Sequence, residues 1–197
     1  MNDKLSPSEL RNLIRKGKWT QPTSGAAAGY VQSNLVMLPA EEAFNFLLFC
    51  VRNPKPCPLL DVLEPGTVEP RIGSNADLRT DLPRYRIFEN AKFISEVDDV
   101  TQNFDHDMVS FLLGCSFSFE NAMLAAGLPI RNIEEDKNVS MYITSQACIP
   151  AGPTIALTAA ETFSKPTCSI KPPIPTAIRP SACSWVASAA WENEPIR

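Results

Sequence analysis

The chain has 197 residues, 44% hydrophobic and 20% charged, with a net charge of -4. That is enough for one ordinary domain with a real core, and the balance excludes a wholly disordered chain, a collagen-like repeat and a coiled coil. With no global basic surface, a nucleic-acid partner is not expected. Proline is out of proportion, 18 against 8 Gly. Residues 1–152 hold 11 Pro and all 8 Gly, whereas residues 153–197 hold 7 Pro and no Gly.

The first predicted element is a helix with Ser6 as N-cap, Pro7 at N1 and Glu9 closing a capping box, flanked by a Leu5/Leu10 staple and ended by Gly17. The small-residue loop Thr23–Gly29 reads as a tight turn, with a ligand cradle as the alternative. It leads to a buried strand over Tyr30–Leu38. Pro39 opens a helix over Ala40–Arg52 with Phe44, Leu47, Leu48 and Val51 as its core stripe, widened by Phe46 and Phe49. Pro54 and Pro56 end it. Leu59–Leu63 is a short strand. Tyr85–Phe88 and Phe93–Val97 alternate as a hairpin around Glu89-Asn90-Ala91. Asp107–Leu113 reads as an apolar helix, Gly114–Phe117 as a break, and Ser118 as the cap of a helix Phe119–Ala126 ended by Gly127 and Pro129. A strand is expected around Ser140–Ile143. Interleaved helices and strands predict an α/β fold, with α+β as the variant, built on a mixed sheet.

The N-terminus has no apolar signal region, and no run approaches a membrane-spanning length, so a cytoplasmic chain without a membrane partner is expected. Six cysteines in that setting are expected to be reduced thiols. With one histidine and no Cys-x-x-Cys pair, no metal site is expected, and no organic cofactor is implied.

Several blocks carry a family resemblance. They are Gly29-Tyr30-Val31-Gln32, Asn34-Leu35, Phe46–Leu60 with its Arg52-Asn53-Pro54-Lys55-Pro56-Cys57-Pro58 core, Asp77–Arg86, Phe111–Glu120 and Pro150-Ala151-Gly152. Together they resemble the D-glutamate cyclase family, whose bacterial members are described as hydro-lyases without an assigned substrate. The resemblance covers roughly residues 5–152. It implies a two-subdomain α/β fold, dehydration of D-glutamate to 5-oxo-D-proline or a related carbon–oxygen lyase reaction, and a small acidic substrate as partner. It stops after Gly152, where the family's chains continue. Residues 1–152 are therefore expected to be the N-terminal part of the family domain. Residues 153–197 are expected to be a poorly ordered tail from out-of-frame or otherwise aberrant translation, the C-terminal part of the fold being missing or replaced.

Cyclising glutamate needs a base for the ammonium proton, an acid for the departing oxygen and donors for the oxyanion. Two substrate carboxylates invite arginine. Within Arg79–Arg86, Arg79 and Arg84 are candidate carboxylate ligands and Asp81 a candidate base; an Arg/Asp network fastening a loop is the alternative. Within Gly114–Glu120, Cys115 at a helix start is a candidate catalytic thiol with a lowered pKa. Glu120 is a second catalytic candidate, and Ser116 and Ser118 are candidate substrate ligands. Asn34, Arg52 and Lys55 complete the substrate-binding set. A non-catalytic acid-binding protein and an inactive shortened family member are the rival functions.

Overall fold

The computed structural model describes residues 5–89, 92–135, 143–152, 158–160 and 183–191. The elements are α1 (Pro7–Arg15), β1 (Val31–Pro39), α2 (Ala40–Arg52), β2 (Leu59–Val62), β3 (Tyr85–Glu89) and β4 (Lys92–Val97). They continue with β5 (Met108–Gly114), α3 (Phe117–Ala125), α4 (Arg131–Glu134), β6 (Ile143–Ala147), β7 (Thr158–Ala160) and β8 (Cys183–Trp191). Six strands form one sheet in the order β2-β5-β1-β8-β3-β4, and β6 pairs with β7. Every pairing described is antiparallel. Helices and sheet combine as expected, in the α+β variant.

The chemistry of α1 is local. Ser6 accepts a bond from the Glu9 amide, and its own amide donates to Glu9 Oε2 at 2.9 Å. Two helix-start donors are thereby satisfied reciprocally. Gly17 follows at φ +63, a left-handed turn that glycine adopts without a Cβ penalty.

The strand β1 alternates. Leu35 and Met37 face a core completed by Leu112, Tyr85, Ile87, Leu78, Leu82 and Val100. Leu38, with Val36 beside it, faces a second core under α2, built on Ala43, Val109 and Phe111. A period of two thus splits one strand between two cores. A loop from Leu63 to Leu82 covers the first face, and α2 covers the second.

Three expectations change. The run expected as a helix at Asp107–Leu113 is the strand β5. It is seven residues long and buried from Met108 to Leu112, and a short continuous apolar run suits a doubly buried strand as well as a helix. In α2 the predicted stripe is rotated: Phe44 is 69% and Val51 62% exposed, while Ala43, Phe49 and Cys50 are buried. Leu47 and Phe46 pack inward, Phe46 edge-on against Phe111 at 4.9 Å. A helix apolar on all sides leaves its inner face undetermined by periodicity alone. Finally, α3 starts two residues earlier than expected, with Ser116 at the N-cap.

The hairpin β3–β4 forms in the predicted place, its tip at Asn90-Ala91 lying outside the described residues. The strand expected around Ser140–Ile143 is described only from Ile143 onward, as β6. In the tail, the Pro-free run Cys183–Trp191 pairs with β1 on one side and β3 on the other. This run contains no proline, so each of its residues keeps a backbone N–H for the ladder. Residues 153–157, 161–182 and 192–197 lie outside the described residues.

Candidate functional site

The two segments richest in candidate residues behave differently. In Arg79–Arg86, each cation has a carboxylate partner. Arg79 binds Asp77 through Nε at 2.9 Å and Nη2 at 2.7 Å. Arg84 binds Glu96 at 2.6 Å, and Arg86 joins the same carboxylate at 3.1 Å. Asp81 is fully buried. Arg15 donates to both its oxygens, the contact to Oδ2 being 2.7 Å. Arg11 lies 3.5 Å away, and the Asp77 amide donates at 2.8 Å. A carboxylate gripped this way anchors α1 to the 77–81 loop, the fastening role rather than that of a base. Tyr85 locks the same loop: its hydroxyl donates to the Leu78 carbonyl at 2.8 Å and accepts from the Leu82 amide at 3.2 Å. Burial pushes this phenol well above its ordinary value.

Beside this network lies an open cleft of about 440 Å³ lined by Arg15, Trp19, Thr80, Pro83, Asp98 and Asp99 among others. Its cation already serves Asp81, and two further aspartates line it. Charge alone makes this a poor receptor for a small dianion.

The second segment is internally engaged. Ser118 Oγ accepts from the Gln32 amide at 2.9 Å and bonds the Gln32 carbonyl at 3.2 Å, tying α3 to β1. Ser116 Oγ donates to Glu120 Oε1 at 2.7 Å. Burial, with the Glu120 charge adding to it, pushes the Cys115 thiol up, although the Phe117 and Ser116 amides oppose this. The lowered thiol pKa expected at this helix start is therefore corrected: desolvation outweighs the amides.

The structure joins segments that lie far apart in sequence around the end of α2. The buried Asn53 donates to the carbonyls of Phe49 at 2.7 Å and Ile149 at 2.9 Å, and accepts from the Ile149 amide at 2.7 Å. Arg52 donates to the Pro150 carbonyl at 2.5 Å. The Gly114 amide donates to the Pro58 carbonyl at 2.7 Å. The space above Gly114 is also tight, since a Cβ there would stand 3.2 Å from the Pro58 ring. Gly152 has φ +66, and a Cβ on it would stand 2.6 Å from the Asn45 side chain. Three blocks, 52–58, 114–120 and 148–152, thus meet at one junction. Two of the predicted cations, Arg52 and Lys55, are exposed there and have no carboxylate partner among the described residues. Asn34 stands half-buried in β1 opposite Leu113, next to the Ser33–Gly114 pair.

Sequence reasoning missed two features here. Asn53 is the clip, readable only as a residue before proline. Cys50, on the last turn of α2, and Cys57, whose amide donates to the Asn53 carbonyl at 3.1 Å, stand on the same turn; their separation of seven residues matches no redox or metal motif. Among the described residues, no group of three or more His, Cys, Asp or Glu side chains is arranged to hold a metal ion. No helix there is long and apolar enough to cross a membrane.

Comparison with known proteins places this junction in context. The family model described as D-glutamate cyclase matches residues 109–160, reaching past Gly152. A protein of Stutzerimonas stutzeri named "Putative hydro-lyase" is 57% identical over 149 residues, 75% of this chain and 56% of that protein. Proteins given the same name in Syntrophobacter fumaroxidans and Rubrobacter xylanophilus are 54% and 53% identical, each covered over 57% of its length. The chain thus spans a little over half the length of the curated relatives it matches.

Proposed function

The chain belongs to the D-glutamate cyclase family, and from that premise we propose that its junction of blocks 52–58, 114–120 and 148–152 forms part of a carbon–oxygen lyase site for a small dicarboxylic amino acid. The reaction assigned is dehydrative closure of D-glutamate to 5-oxo-D-proline. The observation carrying this reading is that family blocks distant in sequence converge where two cations have no carboxylate partner among the described residues. Arg52 and Lys55 supply the positive field for the substrate carboxylates. Glu120, oriented by the Ser116 hydroxyl, is the carboxylate assigned to take the ammonium proton. Asn34 lines the adjoining end of β1.

The test is incubation of the full chain with D-glutamate, followed as loss of primary amine and appearance of 5-oxo-D-proline, with L-glutamate as control. Turnover abolished by Glu120→Gln and weakened in KM by Lys55→Ala is the expected result. A second reading is a non-catalytic acid-binding protein. No turnover with saturable, Lys55-dependent calorimetric binding of D-glutamate would select that reading. Neither turnover nor binding would overturn both.

A further inference from the structure

The six-stranded sheet consists of two pieces joined by a strand from the far end of the chain. One piece is β2-β5-β1, the other is β3-β4, and β8 lies between β1 and β3. The blocks of family resemblance end at Gly152 and the family model's match ends at residue 160, so β8 lies outside both. It nevertheless takes the middle of the sheet. Residues 185–191 pair with residues 31–37 of β1, and residues 183–186 pair with residues 86–89 of β3. Residues 185 and 186 are therefore paired on both sides.

The two pieces share one core. Leu35 and Met37 of β1 and Leu112 of β5 are buried in the same cluster as Tyr85 and Ile87 of β3. Close packing there fixes their spacing. β1 and β3 stand two strand spacings apart, about 9.5 Å. Both run antiparallel to β8, hence parallel to each other. Pairing β1 directly with β3 would need a shift of about 5 Å through that core. Their facing N–H and C=O groups therefore require a strand between them.

We propose that the space between β1 and β3 is a strand-acceptor site of the family scaffold, whose fitting occupant is a strand from the length that the relatives carry beyond their match to this chain, and that β8 fills it here in that strand's place. The chain spans a little over half of each relative's length, so each relative has further chain to supply such a strand. The register states what fits. The occupant runs antiparallel to β1, spans nine residues as β8 does, and carries no proline where its neighbours need its amides. Positions opposite Leu35, Met37 and Ile87 lie over the buried core and call for apolar residues at a spacing of two. Backbone pairing supplies the affinity and these positions the selectivity. Asn34 lies between Leu113 and Ser188 in the register, so the occupant also steadies the strand that carries a site candidate. The acceptor site does not depend on the lyase reading.

Val186→Pro in the full chain removes the amide opposite both Val36 and Arg86 and is expected to expel β8. Overlapping synthetic peptides covering the part of the Stutzerimonas stutzeri protein outside the match are then titrated against this variant by fluorescence anisotropy. One segment is expected to bind saturably and to be displaced by a peptide of residues 183–191. It should slow exchange of the β1 and β3 amides that face it by about tenfold or more. The same segment with proline at its centre should not bind. Where the variant folds poorly, hydrogen exchange of the unmodified chain is followed with each peptide in excess. One of them should speed exchange of the amides of residues 183–191 while those of Met108–Gly114 keep their rate. Binding or acceleration by no segment, binding by the 183–191 peptide alone, or joint loss of protection in β8 and β5 would overturn the assignment. So would a concentration-dependent dimer of the unmodified chain that exchanges β8, since a second copy would then be the occupant.

Discussion

The 77–86 loop and the junction at the end of α2 both carry cations within blocks of the family resemblance, yet they are held differently. In the loop, every arginine lies on a carboxylate: Arg79 on Asp77, Arg84 and Arg86 on Glu96. At the junction, backbone carbonyls and one amide side chain carry the contacts, and Arg52 and Lys55 have no carboxylate partner among the described residues. The first arrangement spends its polar groups on shape. The second holds shape with neutral groups and leaves its charge for something else, as expected of a binding surface. Density of charged residues in sequence is therefore a weaker guide to a site than the partner each charge finds.

The most severe way to break the comparison is Asp81→Ala. It leaves Arg11 buried beside an emptied anchor, and breaking a buried pair on one side costs about 3–5 kcal/mol. The urea midpoint should fall accordingly with an unchanged slope; a loss within the range of exposed surface substitutions would deny the anchor. Asn53→Ala acts on the other side. It strands the Ile149 amide and carbonyl and should cost about 2 kcal/mol. Its more selective mark is hydrogen exchange: the Ile149 amide should speed up while the Asp77 amide, bonded to Asp81, keeps its protection. Equal acceleration at both would mean that the two regions open as one unit. Ser6→Ala removes the α1 cap and should cost about 1 kcal/mol, less than Asp81→Ala if the ion network rather than the cap holds α1.

How much of this was legible beforehand depends on how far the deciding contact reaches. Ser6, Pro7, Glu9 and Gly17 determine α1 within a dozen residues, and the hairpin β3–β4 is equally local. The strand β5 was misread because Met108–Leu113 is apolar without a period. Its strand state comes from lying between β1 and β2, which no local pattern encodes. In α2, Phe44 and Val51 were as apolar as the residues that turned inward, and Val109 and Phe111 decided the matter. At the site, Arg52 and Lys55 were found in the sequence through their block. Their distinction from Arg79 and Arg84 was not, because it rests on where Glu96 and Asp77 lie. Asn53 reaches Ile149 across 96 positions, and no spacing rule spans that.

Lys55→Ala sharpens the comparison from the junction side. An exposed lysine without a carboxylate partner among the described residues should change stability by no more than about 0.5 kcal/mol, while removing D-glutamate binding in calorimetry. A stability loss as large as that of Asn53→Ala would place Lys55 in the scaffold instead.

Acid provides the smallest and most discriminating effect. Burial alone would push the Asp77 carboxyl up, but the Arg79 side chain and amide bonded to it hold it below its ordinary value. A carboxylate lowered in the folded state adds stability that is fully present above its unfolded value, about 4, and is lost as pH falls through the lower folded value. Arg79→Gln removes the charged donor, so Asp77 should return toward, or with its burial rise above, the ordinary range. The variant should then be less stable near neutrality and converge on the unmodified chain as pH drops below 4. Lys55→Ala, which removes a charge with no carboxylate partner among the described residues, should track the unmodified chain across the same range. Parallel curves for Arg79→Gln would mean that the Asp77 pair contributes nothing to folding, and the loop would lose its claim to be held by charge.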